Sequence, residues 1–196
     1  MKTTMIKLYG STTSPYVRRI RMWLANTEHE FINLQIFAGK DRVILAERNP
    51  TLKIPMIEDD ETVIFDSRVI FRYLSDKYQF PSLSWEQENQ LTLIDAATDS
   101  LVQMLLLGRS DIDTSEDKMY FKLQRERVNS TLSHLNELVT QGHFSDWNYP
   151  SICLYSLVDW IEFRTLHDLQ QMPDLLAFHN ANHQRIEVTA TDPRST

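Results

Sequence analysis

The stretch YGSTTSPYVRRIR, Tyr9 to Arg21, sets two threonines and two serines ahead of a proline, then three arginines within four positions. Ser-Pro suits the start of a helix: Ser14 can cap it, and Pro15 fits a first position whose N–H would be unpaired anyway. The backbone N–H groups of such a start, with the positive end of the helix dipole, favour negative charge. The same electrostatics lower the pKa of a thiol held there, and a hydroxyl donating to the sulfur adds to the effect. Plain helix capping accounts for the same residues without any ligand. Arg18, Arg19 and Arg21 divide likewise. They read as a solvated helix face whose surface pairs contribute ~1 kcal/mol or less, or as an electropositive surround for an anion. Glu28, Glu30 and Asp66 are available as acidic partners.

A second stretch, NPTLKIPMIEDDETVIFDS, places Pro55 directly before a short apolar run. A cis bond after Ile54, which X-Pro peptides tolerate, would expose the backbone of Ile54 to an extended ligand; an ordinary trans strand start is the alternative. At its end, Asp66 and Ser67 pass from strand to helix. They combine a carboxylate, a hydroxyl and a free N–H, which suits the head group of an α-amino acid; a second helix cap is the plain reading. His179 and His183, at i and i+4, lack a third ligand in the sequence, so no metal is expected. Cys153 is the single cysteine. It can form neither an internal disulfide nor a multi-thiolate metal site, and without Cys-x-x-Cys no disulfide exchange follows.

The elements that must position these residues change character near residue 80. MIKLY (5–9) and FINLQIF (31–37) read as strands, with Val17, Ile20 and Leu24 at helical spacing between them, hence a parallel pair. A short helix over 39–48 follows, then runs at 55–59 and 62–65 joined by a tight turn, hence antiparallel. A helix with Ile70, Tyr73, Leu74 and Tyr78 on one face comes next. The order is β-α-β-α-β-β-α. QFPS (79–82) carries the linker signal, and segments at about 84–108, 115–140, 150–167 and 173–185 read as a helical bundle. Gly108 and Gly142 lie near segment ends, Pro150 and Pro173 near starts. The division is 1–78, a linker 79–83, and an all-α part 84–196.

The 196 residues suffice for two small domains; 42% are hydrophobic and 24% charged, so a packed core is expected. A net charge of −7 argues against nucleic-acid binding and against an anionic membrane surface. No apolar run is read as approaching the ~20 residues of a membrane span, and MKTTMIKLYG is not read as a signal peptide. One cysteine makes a reducing, cytoplasmic location the default.

Taken in order, STTSPYVRRIR, NPTLKIPMI, FDSRVIFRYL and the closing HQRIEVTATDP resemble a glutathione transferase, most closely the bacterial members that open their first helix with Ser-Pro-Tyr-Val-Arg. The resemblance covers essentially the whole chain. It implies an α/β thioredoxin-like N-terminal domain, an all-α C-terminal helical bundle, and glutathione as co-substrate. By position it implies Ser14 as the residue contacting the glutathione sulfur, with Thr12 and Thr13 as competitors. It implies Ile54 as the backbone partner of the glutathione cysteine, Pro55 as the family's cis-proline, and Asp66 with Ser67 at the γ-glutamyl end. Lys40 or Lys53 would reach the glycine carboxylate. The implied activity is conjugation of glutathione to a small hydrophobic electrophile, or related isomerisation or peroxide chemistry, in a homodimer whose third helix (67–78) meets the partner. The run LVQMLLLG (101–108) would line the electrophile pocket or simply pack in the core.

The chain also departs from the family. Leu52 stands where many relatives have glycine, which would reshape that loop. SICL puts Leu154 where a Ser/Thr-x-x-Asp cap would have its acid, with Asp159 as a substitute polar contact or a solvated residue. A non-catalytic binding or scaffold protein of the same fold is the alternative function, separable by retention on immobilised glutathione without turnover.

Overall fold

The computed structural model describes residues 5–195. β1 (Ile6–Gly10), α1 (Pro15–Trp23), β2 (His29–Asn33), α2 (Gly39–Arg48), β3 (Met56–Asp59), β4 (Thr62–Phe65) and α3 (Ser67–Tyr78) give the expected β-α-β-α-β-β-α order. α4 (Trp85–Gly108), α5 (Met119–Thr140), α6 (Tyr149–Arg164), α7 (Pro173–Asn182) and the short α8 (Ile186–Thr189) follow, with a closing 3-10 turn at Pro193–Ser195.

The sheet runs β2-β1-β3-β4, with β1–β2 parallel and both other pairs antiparallel. Alternation along the strands sorts the two faces. Leu8 and Ile57, both fully buried, point to the side of α1 and α3, while Tyr9 and Met56 join Leu45 of α2 on the other side. On the first side β1 and α1 nearly touch. A Cβ on Gly10 would sit 2.4 and 2.6 Å from the Val17 methyl carbons, so only glycine admits this packing.

β2 differs from the sequence expectation of 31–37: it occupies His29–Asn33. After Asn33 the Leu34 N–H still reaches the Gly10 carbonyl at 2.7 Å, but the chain then turns out of the ladder. Leu34 is buried with Tyr9, Leu45 and Met56, and Ile36 packs against that cluster. The start of α2 holds the turn, because Asp41 accepts from the Gln35 N–H (2.9 Å) and Arg42 donates to the Ile36 carbonyl (3.4 Å). Apolar residues used for covering α2 thus imitate a longer strand. On α3 the buried face is Ile70, Phe71 and Leu74, while Tyr78 is exposed.

Two side-chain networks brace the sheet. Tyr9 Oη donates to Glu58 Oε2 and Arg48 Nε to Glu58 Oε1, both at 2.7 Å. Burial, then the Glu58 carboxylate, push the Tyr9 phenol up to about 12. Asp59, 3% exposed, accepts from Tyr73 Oη (2.6 Å) and pairs with Lys77, which ties α3 to β3.

The chain forms two compact units, Leu83–His183 and the remainder, so the segment from Gln184 groups with the sheet. That segment was expected with the helical half. Hydrogen bonds from Arg18 to Thr191 Oγ1 (3.4 Å) and the Val188 carbonyl (3.3 Å) are the reason: a buried arginine of α1 is satisfied by the end of α8. In the helical unit α6 is buried along most of its length, with α4 and α7 packed on it, and α4 also packs on α5. By length and composition α4 could cross a membrane, contrary to the sequence reading; its stripe Leu91, Ile94, Ala97 and Leu101 is buried in the helical unit. The start of α6 departs too. Asn148 caps it by accepting from the Ser151 N–H (3.1 Å), and Ser151 Oγ donates to the Asp146 carbonyl (2.6 Å), so no cap is centred on Ser151. Asp159 is buried and bonded to His179 Nε2 at 2.9 Å, which removes both the solvated reading of Asp159 and a free His179–His183 pair.

Leu52 takes the left-handed conformation itself (φ 57°), with its N–H on the Asn49 carbonyl at 3.0 Å. A left-handed leucine costs ~1–2 kcal/mol, and glycine gives back ~0.5–1 kcal/mol through the unfolded chain. Leu52→Gly is therefore expected to raise stability by up to about 1 kcal/mol in urea unfolding; a loss would mean that the half-exposed leucine packs more than it strains. Gly10→Ala is expected to cost ~1–3 kcal/mol through overpacking, and Val17→Ala in the same chain to restore part of it.

Candidate functional site

Strand register decides what meets at the open edge of the sheet. Tyr9 lies opposite Met56, Met56 opposite Phe65, and Gly10 opposite Asn33. The residues just beyond these positions therefore emerge side by side: the Ser11–Ser14 turn leading to α1, the Ile54–Pro55 pair before β3, and Asp66–Ser67 after β4. Residues more than 40 positions apart in sequence are thereby brought to one edge.

Ser14 caps α1 in extended conformation, accepting from the Val17 N–H at 3.4 Å while its carbonyl takes the Arg18 N–H at 3.0 Å. Use of an oxygen lone pair leaves the Ser14 hydroxyl proton available to another acceptor. Thr13 Oγ1 lies 3.3 Å from Ser11 Oγ, and the Thr12 N–H donates to Asn33 Oδ1 at 3.3 Å, which joins the turn to the end of β2. Ser14 is the only one of the three hydroxyl candidates, with Thr12 and Thr13, that caps the helix.

The arginines take a different role from the anionic surround considered above. Arg18 is 3% exposed and donates to Val188 and Thr191; Arg21 donates to the Ala190 carbonyl at 3.5 Å and lies over the Phe31 ring at 4.3 Å. Burial, then the neighbouring Arg18 charge, hold Arg21 below the usual arginine value. These cations meet the last carbonyls of α8, where a helix dipole favours positive charge. Neither Glu28, Glu30 nor Asp66 is the acceptor in these bonds.

The Ile54–Pro55 peptide is cis. Ile54 precedes the ladder, which begins at Met56, and its side chain packs on the cluster beneath α2. Lys53 is exposed, its carbonyl held by Asn49 Nδ2 at 2.8 Å. Lys40, the second residue of α2, is exposed on the element that follows β2. Of the two lysines only Lys53 adjoins Ile54 directly.

Asp66 carries the least ordinary backbone of the site, φ 76° and ψ 128°, in a residue without glycine's freedom. Its Oδ1 accepts from the N–H groups of Arg68 (2.9 Å) and Val69 (3.2 Å), capping α3. Oδ2 makes no hydrogen bond among the described residues, and the side chain is exposed. Ser67, 4% exposed, is the first residue of α3. The sequence offered the acid-hydroxyl pair at a strand-to-helix junction; it carried no signal for the backbone conformation.

Residues 8–84 match the family profile described as glutathione S-transferase, N-terminal domain. Glutathione S-transferase F13 of Arabidopsis thaliana is 34% identical over 77 residues, 38% of this chain and 35% of that protein, so the match spans about a third of that relative. A GST-like protein of Escherichia coli, YibF, is 27% identical over 172 residues, 81% of this chain and 83% of that one. A glutathione transferase from Methylobacillus flagellatus, solved with glutathione bound, superposes with a TM-score of 0.84 at 23% identity, covering 96% of this chain and 99% of its own. The profile falls on the segment whose register builds the open edge, so residues 8–84 belong to the glutathione S-transferase N-terminal domain family, and the likeness in fold to solved glutathione transferases runs through both units.

Proposed function

We propose that this edge binds glutathione and that the protein is a glutathione transferase acting on a small hydrophobic electrophile. The observation that carries the reading is the convergence, through Tyr9–Met56–Phe65 register, of a hydroxyl-capped helix start, the Ile54–Pro55 loop and the Asp66–Ser67 junction. Each suits one part of the tripeptide. The free Oδ2 of Asp66 receives the γ-glutamyl ammonium, and Ser67 with the α3 start receives its carboxylate. The backbone of Ile54 pairs with the cysteine residue. Lys53 or Lys40 meets the glycine carboxylate. The glutathione-bound neighbour from Methylobacillus flagellatus supports this reading through its fold.

At the sulfur, Ser14 and the positive end of α1 act together. The hydroxyl donates to the thiolate and the dipole favours its charge, so the thiol ionises nearer neutral pH than it does in water. The thiolate then attacks the electrophilic carbon; a C–S bond forms, and the electron pair leaves with the departing group or passes into a polarised double bond. The protein contributes orientation and charge stabilisation, and no covalent nucleophile of its own. In this reading the protein works as a homodimer in a reducing, cytoplasmic setting. α3 contributes Val69, 40% exposed, to the pairing, for which sedimentation equilibrium is the test.

Ser14→Ala is expected to raise the pKa of bound glutathione, read from thiolate absorbance against pH, and to slow conjugation of a generic aromatic electrophile. Its own cost to stability is about 1 kcal/mol from the lost cap, so the thiolate titration is the decisive readout. Asp66→Ala is expected to weaken glutathione binding about tenfold or more in calorimetry, as loss of a charged hydrogen bond implies, with a smaller effect on the bound thiol. Wild-type behaviour in both variants would remove the site. Retention of glutathione by the wild type without turnover across an electrophile panel would favour the binding-module alternative.

A further inference from the structure

The loop between α2 and β3 reaches Ile54 with little burial to order it. Pro50, Thr51, Leu52 and Lys53 are all exposed, and the side chain that packs on the core is that of Ile54. Apolar contact therefore does not decide the path of the chain just before the cis peptide, and polar bonds have to offset the entropy of fixing it.

Two side chains supply those bonds. Asn49, the residue that ends α2, is fully buried (0% exposed). Its Nδ2 donates to the Lys53 carbonyl at 2.8 Å, and its Oδ1 accepts from the Thr51 N–H (2.9 Å) and from Thr51 Oγ1 (2.7 Å). Arg42, in the first turn of α2, donates from Nη1 to the Leu52 carbonyl at 3.3 Å and to the Ile36 carbonyl at 3.4 Å. The consecutive carbonyls of Leu52 and Lys53 are thus held, one by each side chain, directly before Ile54.

Position 49 needs an amide. The Thr51 N–H asks for an acceptor and the Lys53 carbonyl for a donor; an aspartate of the same shape, when ionised, could only accept. The same clamp accounts for Leu52. Its N–H lies on the Asn49 carbonyl and its own carbonyl on Arg42, so both sides of the residue are fixed and the left-handed conformation is held against leucine's preference.

We propose that Asn49, assisted by Arg42, is a positioning residue for the thiol ligand: it holds the Leu52–Lys53 segment so that the Ile54 backbone meets the ligand's cysteine unit already in order. This role rests on the glutathione reading above. A loop ordered in advance spares the complex the entropy of ordering it, so the effect falls on binding. The sulfur, which that reading puts beside Ser14, is untouched.

The test combines calorimetric titration of the full chain with glutathione, thiolate absorbance against pH, and KM and kcat for a generic aromatic electrophile. Asn49→Ala is expected to weaken glutathione binding about fivefold, the size of one backbone hydrogen bond, and to raise the KM for glutathione to match. Both kcat at saturating glutathione and the pKa of the bound thiol are expected to stay near the wild-type values. The end of α2 keeps its own bond, Asn49 N–H to the Leu45 carbonyl at 2.8 Å, because that bond is backbone. Arg42→Gln, a change at a half-buried side chain, is expected to weaken binding about twofold with the same split. Thr51→Val removes one bond to Asn49 Oδ1 but no grip on either carbonyl, and is expected to bind as the wild type does.

Undiminished binding by a folded Asn49→Ala chain, a change in bound-thiol pKa or kcat as large as that in affinity, or an equal loss in Thr51→Val would overturn the positioning role and leave the glutathione reading standing. Should Asn49→Ala not fold, Arg42→Gln decides, and wild-type affinity in that variant overturns the role. A wild-type chain that binds no glutathione would remove the reading and the role together, so the wild-type titration tells the two failures apart.

Discussion

Three strands of the first unit end in step, and that register is what the candidate site depends on. Tyr9, Met56 and Phe65 form a row across the sheet, with Gly10 opposite Asn33 at its flank. Slipping β3 by one residue would turn Met56 away from Leu45 and drive Ile57 out of the side it shares with Leu8, since successive side chains alternate faces. It would also move Ile54 and Asp66 relative to Ser14. Hydrophobic burial on both faces of the sheet thus fixes the position of Ser14 and Asp66, polar groups that add little to that core themselves. The site needs no extra interaction to be assembled, because the core assembles it.

Close approach on one side and polar bracing on both make that register rigid. Gly10 lets Val17 press against β1, which sets where α1 begins and where Ser14 points its hydroxyl. Asp59, buried and held by Tyr73 and Lys77, fastens α3 to β3 and so locates the junction at Asp66. Glu58, held by Tyr9 and Arg48, does the same between β1, β3 and α2 on the opposite face. A buried carboxylate whose partner is removed is strongly destabilising, so these groups favour one arrangement over near neighbours even where their net contribution to stability is small.

Much of this could be read from local pattern. The parallel start, the tight β3–β4 hairpin and the helices over 39–48 and 67–78 follow from spacing, branched residues and turn chemistry, all of which act over a few positions. Ser14 and Asp66 could be picked out as caps for the same reason. Three features lay beyond such reading. The end of β2 is set by Leu34 packing under α2, which a run of apolar letters cannot distinguish from pairing. The conformations of Leu52 and Asp66 go against residue preference and are imposed by their surroundings. The partners of Arg18 lie about 170 positions away, and no local pattern announces them.

That last case changes how the charges near the helix start should be understood. Arginines in the first turns of α1 oppose the helix dipole, and an anionic ligand is one way to offset them. Here another helix supplies the offset: the closing carbonyls of α8 accept from Arg18 and Arg21, and Phe31 shields the second of them. The positive end of α1 is then left to the Ser14 cap and to whatever binds beside it. Dividing the labour in this way lets the arginines fasten the end of the chain to the sheet unit without drawing a ligand's charge away from the helix start. An exposed guanidinium at the same place would offer its N–H donors to a thiolate in competition with Ser14 and the backbone, whereas these two keep their charge but spend N–H donors on the closing segment of the chain. The thiol chemistry proposed for the sheet edge therefore rests on the helix start and its hydroxyl.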